Sequence, residues 1–109
     1  MSEPPSFTWF EDVAGNVEIP DEGTLSKVLF KDDRLRVVLF AFDQDQTLSE
    51  HTATVPAVVQ VLSGRLAIGL GADSLEARPG SWLHMPANLP HSVTALEPSV
   101  MVLSMIRDD

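Results

Sequence analysis

The sequence contains no cysteine. That excludes disulfides, a thiolate nucleophile and a sulfur ligand for a metal. Basic residues are scarce: 7 Lys and Arg stand against 16 Asp and Glu, a net charge of −9. A phosphate backbone or an anionic bilayer surface would be repelled, so neither nucleic acid nor a membrane is expected as a partner. No window approaches the roughly 20 apolar residues of a bilayer span. The first residues, MSEPPSFTWFEDVAG, lack the basic segment and apolar core of a secretory signal. With the missing cysteines, this gives a cytoplasmic expectation. Helices are also missing from the pattern, because no stretch carries a capped 3.6-residue apolar period.

What remains is short, apolar and punctuated. The chain has 109 residues, 44% of them hydrophobic, which suits one domain with one real core. Apolar or alternating runs fall at 25–30, 34–42, 57–62, 65–70, 74–77, 82–85, 91–95 and 100–106, with a polar extended run at 46–51. Between them stand Lys31-Asp32-Asp33, Ser63-Gly64, Gly71-Ala72-Asp73, Arg78-Pro79-Gly80, Pro86 to Pro90 and Leu96-Glu97-Pro98. Such spacing predicts an all-β sandwich or barrel. The Ser63-Gly64 pair reads as a hairpin turn joining 57–62 to 65–70. Pro56 suggests an edge or a bulge near the start of its strand.

Two runs, 37–42 and 100–106, are apolar on both faces. A strand in a lone barrel buries one face and wets the other, so something must cover the second. Residues 1–24 form a terminal arm carrying Phe7, Trp9 and Phe10, which is expected to pack on the barrel of residues 25–109 or on a second subunit. A homodimer is the expectation that follows.

Two spaced motifs sharpen the fold. Gly80, Pro86, Asn88, His91 and Ala95 fall on the spacing Gly-x5-Pro-x-Gly-x2-His-x3-Asn, with Gly80, Pro86 and His91 matching. Asn88 stands at a glycine position and is the residue that best tolerates a positive φ there. Upstream, Asp45, His51, Ala53, Ala57 and Gly64 fall on Gly-x5-His-x-His-x3-Glu-x6-Gly, with His51 and Gly64 matching. Fifteen residues, 65–79, lie between the two motifs. Over about residues 25–106 the chain resembles a small single-domain cupin of the conserved-barrel type. The resemblance implies a double-stranded β-helix, the jelly-roll barrel, of about 8–10 short antiparallel strands. It does not choose a function, since cupins include dioxygenases, isomerases, decarboxylases, sugar-binding regulators and storage proteins.

In metal-binding cupins three histidines and a glutamate converge on one ion. Here the resemblance leaves His51 and His91 as donors, with Ala53 and Ala57 where the second histidine and the glutamate would stand. Open transition-metal sites generally use three protein ligands. The expectation is therefore a ligand pocket formed by His51, Ala53, Ala57 and His91, holding a small, largely apolar molecule and no cofactor. The alternative is a dioxygenase-like enzyme holding a divalent transition metal through His51, His91 and a further ligand. His51, Ala53 and Ala57 are expected on one strand face if no bulge intervenes. His84 points outward if Leu83 and Met85 are core, and inward if Trp82 and His84 are. A plainer role is open to each histidine: His91 bonded to a backbone carbonyl or a water at its turn, His51 a satisfied polar residue at the barrel mouth.

Overall fold

The computed structural model describes residues 4–107. Nine strands follow one short 3-10 turn, Ala14–Asn16. They are β1 (Thr24–Lys31), β2 (Leu35–Phe42), β3 (Thr47–His51), β4 (Ala57–Ser63), β5 (Leu66–Leu70), β6 (Asp73–Ala77), β7 (Trp82–Met85), β8 (His91–Ala95) and β9 (Ser99–Ile106). They form a five-stranded sheet in the order β1-β2-β9-β4-β7 and a four-stranded sheet in the order β3-β8-β5-β6. Every pairing is antiparallel.

Period-2 alternation decides which side chains meet between the sheets. Phe42, Val59, Val61 and Met101 from one sheet bury against Leu66, Ile68, Val93 and Ala95 from the other. The opposite faces of β2 and β9 carry Leu39, Ala41, Val100 and Val102, which form a second buried cluster. Val13, Val17 and Ile19 of the arm pack on that cluster. The arm thus covers part of the outer face that the two-sided apolar runs required.

Two local expectations are corrected. β4 and β5 are not a hairpin: β4 pairs with β7 and β9, whereas β5 pairs with β6 and β8. At Gly64 the chain leaves one sheet for the other. Gly64 has φ +79°, and a Cβ there would collide with Ser99 Oγ and the Pro98 carbonyl. The Arg65 N–H donates to Ser99 Oγ at 2.9 Å, fixing the crossing against β9. The true two-residue hairpin is β5–β6, through Gly71 and Ala72, with Leu70 opposite Asp73.

Pro56 marks neither an edge nor a bulge. It precedes β4, which lies inside its sheet between β9 and β7, and its carbonyl accepts the Ile106 N–H at 3.0 Å. The missing proline N–H falls before the ladder begins and costs it nothing. The irregularity of β4 lies at its other end, between Val61 and Ser63.

Candidate functional site

One end of the sandwich gathers the residues singled out by the two motifs. The end of β3, the start of β8, the start of β4 and the end of β7 meet there. His91 opens β8 and alternation carries it inward with Val93 and Ala95, all three buried. Before it, Pro86 to Pro90 form the turn, with Asn88 at φ +68°, the conformation expected of the residue at that glycine position.

His51 reaches the same place by a different route. Leu48 faces the core, and simple alternation from Leu48 would turn His51 away from it. The β3–β8 register shifts between Leu48 and His51, and this bulge returns His51 to the inner face. His51 then pairs directly with His91. Their ring centroids are 4.2 Å apart, tilted by 60°. The strand ends at His51, so Ala53 lies in the following loop and Ala57 begins a strand of the other sheet. The three do not share one strand face, contrary to expectation. The fold nonetheless brings His51, Ala53, Ala57 and His91 around one cavity of about 170 Å³, with Val55, Met85, Leu103 and Met105 among its other walls. A smaller cavity of about 30 Å³ adjoins the same two histidines, between Phe40, Leu48 and Met101.

The hydrogen bonds define the tautomers. His51 Nδ1–H donates to the Ser49 carbonyl at 2.8 Å, and His91 Nδ1–H donates to the Leu89 carbonyl at 2.9 Å. A carbonyl oxygen only accepts, so both Nδ1 atoms must carry hydrogen. In the neutral rings each Nε2 is then a lone-pair acceptor. Neither Nε2 has a partner among the described residues. Of the partners open to His91 at its turn, the backbone carbonyl is the one present, and it leaves Nε2 available.

His84 lies outside the site. Met85 is buried and Leu83 packs on the core, whereas His84 and Trp82 are exposed on the opposite face. A third histidine ligand is therefore missing. No group of three His, Cys, Asp or Glu side chains capable of holding a metal occurs among the described residues. The donor set does not fit the zinc, iron or manganese centre that the cupin pattern implies. Two imidazole nitrogens are present, and methyl groups stand at Ala53 and Ala57 where the other donors would be. Met85 and Met105, core residues by the period-2 alternation of β7 and β9, face this cavity.

A larger cavity, about 590 Å³, lies outside the barrel, between the arm and the outer face of the five-stranded sheet. Phe10, Val13, Leu29, Val37, Leu62 and Val102 are among its walls, and no ionisable side chain lines it. It is a packing groove with no group able to do chemistry, so the site is placed at the histidine pair. Among the described residues, no helix is long and apolar enough to cross a membrane.

Comparison of the sequence with protein-family models and with curated proteins returned no match. Solved structures do match. A conserved protein of unknown function from Streptococcus pyogenes superposes with a TM-score of 0.85 at 26% identity, covering 100% of this chain and 97% of that one. A cupin superfamily protein from Desulfitobacterium hafniense gives 0.84 at 23% identity, over 88% of each chain. A cupin 2 conserved barrel domain protein from Leptotrichia buccalis gives 0.82 at 27% identity, over 87% of this chain and 46% of that one. Two antiparallel sheets in this order, the paired motifs at one end and these neighbours lead to one conclusion: the chain has the fold of a small cupin domain.

Proposed function

We propose that this cupin barrel binds a small, largely apolar molecule between His51, Ala53, Ala57 and His91, without holding a divalent transition metal. The supporting observation is the cavity itself. Its volume of about 170 Å³ is close to the roughly 150 Å³ of an engineered apolar cavity that accepts benzene. Its walls are aliphatic or thioether, apart from the two imidazoles. That is the composition of a ligand site in which a few polar groups orient an apolar body. The two free Nε2 acceptors would engage a hydroxyl or N–H on the ligand.

The test is an NMR titration of the ¹⁵N-labelled protein with phenol and with toluene. Shifts confined to the ends of β3, β4, β7, β8 and β9, and abolished when Ala57→Phe fills the cavity, are expected. An unresponsive spectrum at millimolar probe, or a response that survives Ala57→Phe, overturns the reading.

One observation favours the alternative, a dioxygenase-like metal enzyme using His51, His91 and a further ligand. Metal-binding histidines characteristically donate their second N–H to a carbonyl or carboxylate, as both do here. Metal analysis of untagged protein purified without added ions separates the two readings. A stoichiometric divalent metal lost in His51→Ala favours the enzyme.

We propose further that the chain works as a homodimer. Along the arm, Ser6, Thr8 and Phe10 line the groove on the body, whereas Phe7 and Trp9 are 90% and 71% exposed. An extended arm that shows its larger aromatics to water leaves them for a second copy to cover.

A further inference from the structure

The alanine at position 57 has neighbours that change the chemistry of the cavity. In the five-stranded sheet Ala57 pairs with Met85 on one side and with Met105 on the other. Register partners share a face, so the two methionines flank the alanine on its cavity side. Both line the cavity that His51 and His91 line. Neighbouring strands are about 4.8 Å apart, a gap that a methionine side chain spans. The short alanine leaves open space between the two thioethers. Counting cysteines alone left no sulfur ligand for a metal, but thioether sulfur is a soft donor as well.

The wall therefore offers two imidazole Nε2 lone pairs and two thioethers, with no carboxylate among them. We propose that this donor set is a site for a soft monovalent cation, Cu(I), held by His51 Nε2 and His91 Nε2 with the sulfur of Met85 or Met105 as the third ligand. Three physical arguments converge. A thioether is a neutral, soft donor that suits Cu(I), whereas zinc takes its sulfur as thiolate and manganese prefers oxygen donors. The ligands are all neutral, and the cost of bringing an ion into an apolar cavity rises with the square of its charge, so a monocation is accepted far more readily than a dication. Finally, the Ser49 and Leu89 carbonyls already hold both rings in the tautomer that presents Nε2.

The inference does not rest on the small-molecule reading. That reading uses the volume of the cavity, this one its donor atoms, and each experiment can fail without the other. The probe is Cu(I) itself, titrated anaerobically in competition with the chromophoric chelator bicinchoninate. The wild-type chain is expected to withdraw one equivalent from the chelator, while zinc and manganese are lost on dialysis. His51→Ala, and the double variant Met85→Leu with Met105→Leu, are each expected to weaken Cu(I) binding by at least about tenfold. Leucine keeps the volume of methionine, so the double variant retains the packing and removes only the sulfur. His84→Ala is the control: His84 lies on the exposed face of β7, outside the cavity, and its loss should leave the affinity unchanged. X-ray absorption of the copper form is expected to show both nitrogen and sulfur neighbours. Chelator that keeps all its copper overturns the proposal, as do a double variant that binds like the wild type or zinc retained as firmly as copper.

Discussion

The backbone N–H of Asn88 donates to the carbonyl of Ala53 at 2.7 Å. This bond joins the loop after β3 to the turn between β7 and β8, tying the two motif loops together at the cavity wall. Asn88 makes it from the left-handed region, at φ +68°. Asn88→Gly is therefore expected to leave stability nearly unchanged. Asn88→Val should cost about 1–2 kcal/mol, because a β-branched residue resists that conformation. Urea unfolding of the three proteins checks both values. Equal stability of the glycine and valine variants would show that the turn does not need a positive φ.

The missing donors can be restored. Ala53 and Ala57 both face the cavity, which has room for larger side chains. Ala53→His together with Ala57→Glu should create a three-histidine, one-glutamate set with His51 and His91. Zinc or manganese is expected to bind the double variant at least about a hundredfold more tightly than the wild type. Calorimetry with both proteins reads the difference. Tight divalent binding by the wild type would instead mean that two imidazoles and the thioethers suffice.

Exposure of Phe7 and Trp9 gives the dimer a direct test. Size-exclusion chromatography with light scattering is expected to report twice the mass of one chain. Phe7→Ser with Trp9→Ser should shift that mass toward the monomer while leaving the circular dichroism of the barrel intact. A monomeric wild type at working concentration refutes the proposal.

Acid should loosen the junction between arm and barrel. Asp43 accepts the Glu22 N–H at 2.7 Å and the Gln44 N–H at 2.8 Å. Those two bonds, the Glu22 one first, hold its carboxyl below the ordinary value of 3.8. A carboxyl whose pKa is lowered by folding stabilises the fold fully above its unfolded value and loses that contribution as pH falls through the folded one. Asp32 behaves alike, its carboxyl lowered by the N–H groups of Arg34 and Leu35 at the β1–β2 turn. Unfolding measured across pH 7 to about 3 should therefore show stability falling with acid. Asp43→Asn should flatten that fall and bring a lower starting value at pH 7. An unchanged pH profile in the variant would remove Asp43 from the account.

The sequence by itself determined where most strands lie, because alternation and the Gly, Pro and Asp punctuation are local properties. β7 and β8 were legible to the residue, and the motif spacing singled out His51 and His91. The remainder was non-local. Ser63-Gly64 looks like any hairpin turn, and only the close approach of Gly64 to Ser99 sends β4 and β5 into different sheets. Alternation read from Leu48 turns His51 outward, and only the bulge against β8 turns it in. The methionines beside Ala57 are 28 and 48 positions further along the chain, and nothing short of the sheet register makes them its neighbours. Tertiary structure decided the cavity's chemistry because register, bulges and the choice of sheet arise from packing between distant segments, and no local pattern records them.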